Sequence, residues 1–284
     1  MVSNDFNEFI KDIKPEPLFD DERNGIWIFN CDCIVLMDKL IAKFPNGVFD
    51  MIFADPPYFL SNGGITCHAG KMVKVNKGEW DVSRGVEENH KYVMEWLSRC
   101  QKLLNKNGTI WISGTHHIIY SIGFALQKLG MKILNDITWE KPNPPPNLSC
   151  RYFTHSTETI IWAAKNEKSK HIFNYNLMKQ VNGGKQMKTV WRIPAPNGDE
   201  KLFGKHPTQK PVKLLERIIL ASTLQNNLIF DPFMGSGTTG IAALKLNRKF
   251  VGCELDNLYV KIAINRINQA IEDKISSLKL GEVS

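Results

Sequence analysis

The chain has 284 residues with globular proportions of apolar (43%) and charged (23%) residues, which excludes a fibrous or largely disordered protein and suits one α/β core. A formal net charge of +7 favours a polyanionic partner, because lysine and arginine that neutralise phosphates release condensed counterions. The cysteines (Cys31, Cys33, Cys67, Cys100, Cys150, Cys253) lack the paired spacing of a zinc site or disulfide framework, and neither an apolar leader nor a membrane-length apolar run occurs, so reduced thiols, a cytoplasmic setting, no metal and no membrane are expected.

Residues 1–25 are polar and charged, and Pro15 and Pro17 interrupt any helix, so a loosely ordered N-terminal arm is expected, with residues 26–284 forming a single domain. From Ile26, IWIFN reads as a strand that turns at Cys31, Asp32 and Cys33 into the helically spaced VLMDKLIAKF. Residues 48–54 form a short apolar strand that stops at Asp55, where Pro56 and Pro57 forbid further sheet hydrogen bonding. A glycine-rich polar stretch follows, then a helix over 87–104, a strand over 109–114, a helix ended by Gly130 and the strand-like KILNDITWEK. The prolines of 142–150 remove backbone donors and fix φ, which predicts a rigid extended loop.

Another strand is expected over 158–164. Residues 165–205, rich in lysine, asparagine and glycine, break the β/α alternation and are expected to be a small inserted recognition segment. After KHPTQKP the alternation resumes through the helix LLERIILAST, the strand LIFDP, a glycine turn, the helix IAALKL, the strand FVGCE and a long last helix. Alternating strands and helices imply an α/β fold of Rossmann-like type, with a mainly parallel, doubly wound sheet.

Two motifs carry chemistry. In LIFDPFMGSGTTG a strand runs into Gly235, Ser236, Gly237, Thr238, Thr239 and Gly240 and then a helix, the context that a nucleotide-binding turn requires, since glycines let backbone approach a ligand closely. The next strand ends at Glu254, whose carboxylate suits two ribose hydroxyls. This pairing also fits a nicotinamide or flavin cofactor, so an oxidoreductase stays open on these residues alone.

The second motif is Asp55, Pro56, Pro57 and Tyr58 at the carboxyl end of a strand, where open α/β sheets place their crevices. An exocyclic aromatic amine is a poor nucleophile because its lone pair is delocalised into the ring. Fixed acceptors for its N–H groups favour the pyramidal, more nucleophilic nitrogen, and Asp55 with the Pro56 carbonyl can be those acceptors. Tyr58 offers a face for a base swung out of the duplex.

DPPY at 55–58 together with FMGSG at 233–237 resembles the amino-methyltransferases of restriction–modification systems, and the DPPY-first order resembles their β group. The likeness extends through Asn30, Cys31 and Asp32, TWEKPNPPPN and KHPTQKP, and is similar to the second methylases of DpnII-type systems. It implies adenine-N6 methylation from S-adenosyl-L-methionine by in-line displacement, with GATC in double-stranded and also single-stranded DNA as target, and a homodimer. It also implies that Phe233, Gly235, Ser236, Gly237, Thr238 and Thr239 with Asp231 hold the methionine part, that Glu254 holds the ribose, and that Asp32 and Cys33 lie near the cofactor adenine. His206, Thr208 and Lys210 would close over the methionine carboxylate, with Lys210 as countercharge and Asp55 beside the donor. Arg151, Tyr152 and Phe153 are alternatives for a second wall against the flipped base, and Lys71, Lys74, Lys77, Lys179, Lys185 and Lys188 are candidate phosphate contacts.

Cytosine-C5 chemistry is excluded because no cysteine here follows a proline. Cytosine-N4 methylation uses similar geometry but typically carries Ser where Asp55 stands, which favours adenine and leaves cytosine as the alternative. A non-catalytic DNA-binding module would need decayed motifs, and every motif position is intact.

Overall fold

The computed structural model describes residues 6, 8–10, 13–60, 65–68, 71–74 and 81–281. In chain order the elements are β1 (Phe19–Asp21), β2 (Ile26–Asn30), α1 (Cys33–Lys43), β3 (Phe49–Ala54), β4 (Ile65–His68), β5 (Lys71–Lys74), α2 (Val86–Leu103), β6 (Leu104–Gly114), α3 (Ile119–Lys128) and β7 (Lys132–Glu140). They continue through β8 (Thr157–Ala164), α4 (Tyr175–Val181), β9 (Val190–Arg192), α5 (Val212–Ser222), β10 (Leu228–Asp231), α6 (Thr238–Lys245), β11 (Lys249–Glu254) and α7 (Asn257–Gly281). Among the described residues no helix is long and apolar enough to cross a membrane.

The main sheet runs β1-β2-β11-β10-β3-β6-β8-β7-β9. From β2 through β6 every pairing is parallel, while β1 and β8 pair antiparallel with their neighbours. Parallel strands covered on both faces need apolar residues at every position, and β2 supplies them: Trp27 and Phe29 enter one core with α1, α2 and α3, whereas Ile26 and Ile28 enter another with α5, α6 and α7. β3 divides in the same way, with Phe49, Ile52 and Ala54 on the first side and Met51 and Phe53 on the second. The expected doubly wound arrangement is therefore present, and it brings the carboxyl ends of β2, β3, β10 and β11 to one edge.

Three regions differ from the sequence expectation. Phe6, Ile10 and Ile13, in the stretch read as loosely ordered, are each no more than 3% exposed. Phe6 stacks on Phe44 and meets Trp27 edge-on, so isolated aromatics in a charged stretch cap the first core. The polar stretch after Tyr58 contains the antiparallel hairpin β4–β5. In residues 165–205, β9 extends the sheet edge parallel to β7, and Trp191 packs against Trp111 of the second core.

Candidate active site

A cavity of about 520 Å³ opens at the carboxyl edge of the parallel strands, within the range of roughly 300–1,000 Å³ usual for small-molecule sites. Asp55, Pro56, Pro57 and Tyr58 line it together with Asp231, Phe233, Gly235, Ser236, Thr238, Thr239 and Glu254, so the two motifs share one chamber. Asp32, Cys33, His206, Thr208 and Lys210 line it as well. Gly237 does not; its part is structural.

On the β3 side the site is made of side chains. Tyr58 donates its hydroxyl to Asp55 Oδ1 at 2.6 Å, Ser113 Oγ donates to the same oxygen, and Lys210 Nζ lies 2.5 Å from Asp55 Oδ2. Lys210 also reaches Glu158 Oε2 at 3.5 Å, and Lys141 Nζ holds the other Glu158 oxygen at 2.5 Å. The result is an alternating chain of charges, Lys141, Glu158, Lys210 and Asp55. Burial works against the charge on Glu158, yet Lys210 and Lys141 outweigh it and hold the carboxyl down at about 2. Burial likewise opposes the charge on Lys210, and Asp55 with Glu158 reverses that effect and raises its pKa.

Two residues of the expected set are more enclosed than motif reading showed. Lys210, expected over a methionine carboxylate, is 5% exposed, lines the cavity and pairs with Asp55 and Glu158, a countercharge that two buried carboxylates need. Tyr58, expected to present an open face, is 4% exposed. Its hydroxyl is drawn inward to Asp55, and its N–H donates to Asp81 Oδ1 at 2.9 Å. Ser113, Glu158, Lys141 and Asp81 are functional neighbours that motif reading did not single out. The available signals were a serine ending the strand TIWISG and a carboxylate opening the apolar strand ETIIWAA.

On the β10 side the site is made of backbone. Asp231 Oδ1 accepts from the Phe233 N–H at 3.0 Å, and Oδ2 accepts from the Thr239 hydroxyl at 2.5 Å, which ties both ends of the glycine turn to one carboxylate. Glu254 takes the Gly235 N–H at 3.0 Å and the Asp256 N–H at 2.8 Å. Gly237 adopts φ +75° at the start of α6, and a Cβ there would lie 2.9 Å from Ala263 Cβ, so α7 approaches too closely for any other residue.

Burial dominates the electrostatics of this half. Burial pushes the Asp231 carboxyl up to about 7, and the like charges of Asp55 and Glu254 add to the shift. Burial raises Glu254 too. A cation beside such buried carboxylates favours their charged form. His206 brings none: burial pushes its imidazole down to about 4, and its ring lies against Gly235 and, at 4.2 Å, Tyr259. Asp32 caps α1 by accepting the Ile34 N–H at 2.7 Å, and burial pushes the Cys33 thiol up to about 12, so neither shows reactive chemistry of its own.

The segment after the proline-rich loop is aromatic and exposed. Tyr152 is 61% and Phe153 95% exposed, and Arg151 beside them is exposed too. His155 stacks on His116 at 4.9 Å, and His116 follows β6 just beyond Ser113. Lys185 and Lys188 are exposed and Lys179 is half-buried beside Tyr175. Lys71 and Lys74 fall on the backbone of β5, and Lys77 lies outside the described residues.

Comparison with known proteins follows the same line. The DNA methylase family matches residues 49–265. The type II methyltransferase M2.LlaDCHI of Lactococcus lactis subsp. cremoris is 57% identical over 232 residues, 81% of this chain and 86% of its own. M2.MboI of Moraxella bovis is 50% identical over 254 residues, 89% of this chain and 92% of its own. Among solved structures, the M1.HpyAVI–SAM complex superposes with a TM-score of 0.66 at 31% identity, covering 86% of this chain and 99% of that one. The chain belongs to the DNA methylase family: it is a DNA methyltransferase enzyme of the site-specific, restriction–modification kind.

Proposed function

We propose that this enzyme methylates the exocyclic N6 of adenine within GATC, with S-adenosyl-L-methionine as donor, in duplex DNA and also in single strands. The observation that carries the reading is the shared chamber: an acid on a proline-stiffened strand end opposite a glycine turn backed by two carboxylates. A cation beside Asp231 and Glu254 favours their charged forms, which suits the donor's sulfonium and ammonium groups. The turn from Phe233 to Thr239 and Asp231 would hold the amino-acid end and Glu254 the ribose, with Asp32 and Cys33 near the donor's adenine and His206 and Thr208 closing over it. S-adenosylmethionine supplies an electrophilic methyl group, which the amine takes by in-line displacement without a covalent enzyme intermediate.

The protein's own part is positioning. Three donors, from Tyr58, Ser113 and Lys210, occupy the Asp55 carboxylate, which offers about four lone-pair sites, so it keeps an acceptor site for an amine N–H. Those donors also fix its orientation, and the Pro56 carbonyl beside it is held rigid by Pro57, so little reorganisation accompanies transfer. Tyr58 is proposed to act through its hydroxyl more than its face. Stacking of the extruded base falls to the exposed segment after the proline-rich loop, where Tyr152 and Phe153 are the rings.

Residues 165–205, with Lys179, Lys185 and Lys188, are proposed as the recognition segment, and residues 26–284 as one catalytic domain. A homodimer in the cytoplasm completes the reading. The deciding experiment is transfer of a labelled methyl group to duplexes with and without GATC, followed by nucleoside mass spectrometry. N6-methyladenine confined to GATC is expected; N4-methylcytosine would establish the alternative, and no incorporation into either duplex would refute the specificity.

A further inference from the structure

Lys210 is paired with Asp55 and Glu158, and burial disfavours a charge on His206, so a further cation near the glycine turn bears on the donor's carboxylate. One stands directly behind the glycine turn. Arg266, on α7 and just past the segment that the family matches, is 5% exposed. A single guanidinium nitrogen, Nη1, donates to the Ser236 carbonyl at 2.6 Å, to Ser236 Oγ at 3.0 Å and to Thr238 Oγ1 at 3.0 Å.

Ser236 and Thr238 both line the cavity, whereas Arg266 does not. The guanidinium therefore touches the turn from outside and acts on a ligand only through it. The strapping continues on the far side: Ser236 Oγ donates to Gln209 Oε1 at 3.3 Å, and Gln209 Nε2 donates to the Glu200 carbonyl at 2.7 Å. Glu200 Oε2 in turn accepts the Val212 N–H at 2.9 Å at the start of α5. One chain of hydrogen bonds thus links α7, the glycine turn and the KHPTQKP segment.

A buried arginine is expensive. Burial pushes its pKa down to about 10, with the Glu200 charge opposing that fall, so the group stays charged at neutral pH and its desolvation is offset only by these bonds. Placing such a charge behind a turn that already has a hydroxyl–carboxylate brace at Asp231 makes sense if the charge is needed there.

We propose that Arg266 is a positioning residue for the amino-acid end of S-adenosylmethionine, fixing the Ser236 carbonyl and lending the turn a positive field for the ligand's carboxylate. The inference rests on the donor reading given above. A guanidinium bonded to the Ser236 carbonyl and to the Ser236 and Thr238 hydroxyls adds positive charge next to the turn, in the same sense as the adjoining helix N-terminus.

The test is ligand affinity by calorimetry, without DNA, for S-adenosylhomocysteine and for methylthioadenosine, which lacks the amino-acid end. In Arg266→Gln the first should bind about tenfold more weakly, the loss of a charge-assisted contact, while the second stays within about twofold of wild type. Arg266→Lys, which keeps the charge with fewer directed donors, should fall between wild type and Gln, and it carries the same comparison if the Gln variant does not fold. Equal losses for both ligands would overturn the proposal in favour of a purely structural brace, as would no loss for either. Wild-type protein that binds neither ligand would instead refute the donor reading itself.

Discussion

The two walls of the cavity are built on different principles. The wall at β10 and β11 is local: Asp231 holds Phe233 and Thr239, and Glu254 holds Gly235 across one β/α unit. The wall at β3 is assembled at long range, since Asp55 meets Ser113 across 58 positions and Lys210 across 155. The local wall uses backbone N–H groups and needs particular φ angles; the distant one uses side-chain charges and needs strand register. Perturbing single residues should therefore separate them, with binding failing on one side and chemistry on the other.

The largest separation is expected from Asp55→Asn. The substitution keeps the shape but replaces an anionic acceptor with an amide, and transfer should fall roughly 10³-fold, the scale seen when one preorganised polar group facing the reacting centre is removed. Affinity for S-adenosylhomocysteine should change by no more than a few-fold. Equal loss of both would show that the walls are not separable. Single-turnover methyl transfer and calorimetry on the same preparation make the comparison.

Next in size is Glu158→Gln, which takes the carboxylate from Lys141 and leaves Lys210 with Asp55. Breaking one partner out of a buried ionic network costs on the order of 3–5 kcal/mol, read as a lower denaturation midpoint. The pH dependence gives an independent check. Glu158 is held down to about 2 from an ordinary 4.5, so its stabilisation is complete above the higher value and is lost as pH falls through the window to the lower one. The variant should lack that part of the acid limb; an unchanged acid profile would mean that the network stores no such energy.

The contrast between the walls also explains what the sequence could reveal. Gly235, Glu254 and Asp55 were legible because each sits at the end of a strand whose turn chemistry is written within a few adjacent residues. Glu158 and Ser113 were not, because their role depends on β8 lying antiparallel beside β6, with Gly114 opposite Thr159. No local pattern encodes that register. Lys210 was legible through its segment but its protein partners were not, since the sequence cannot show that Glu158 lies 3.5 Å from it. Phe6 was hidden for another reason: Phe6, Phe9, Ile10 and Ile13 recur at helical spacing, but the run is short, lies among charges and stops at Pro15, and the ring of Phe44 is what identifies it as core. The parallel sheet was the easiest part, because strands buried on both faces must be apolar throughout.

On the local wall, Asp231 should reverse the pH sign seen at Glu158. Its folded-state pKa is raised from 3.8 to about 7, so it binds its proton more tightly when folded, and that contribution is greatest at low pH and disappears as pH rises through the upper value. Asp231→Asn should flatten unfolding free energy between those limits while leaving the Glu158 limb in place. Saturating S-adenosylhomocysteine should not abolish the difference; were it to do so, ligand ordering rather than titration would be the cause.

The smallest effect, and the most discriminating, is Tyr58→Phe. The hydroxyl donates to Asp55 at 2.6 Å and reaches Ser113 and Glu158 at 3.3 Å each, while the ring is buried and Lys210 Nζ lies 5.5 Å from its centroid. Deleting the oxygen keeps the ring, and with it any stacking or cation–π contribution. It removes one of the donors that aim the carboxylate, a loss of about 1 kcal/mol, or roughly fivefold in the rate of transfer. If Tyr58 worked through its face, the rate would not move. A fivefold fall in the single-turnover rate with unchanged DNA affinity would place its role in orienting Asp55. A matching loss in Ser113→Ala that does not add to it would show both hydroxyls serving the same oxygen, because groups that act on one acceptor are coupled rather than independent.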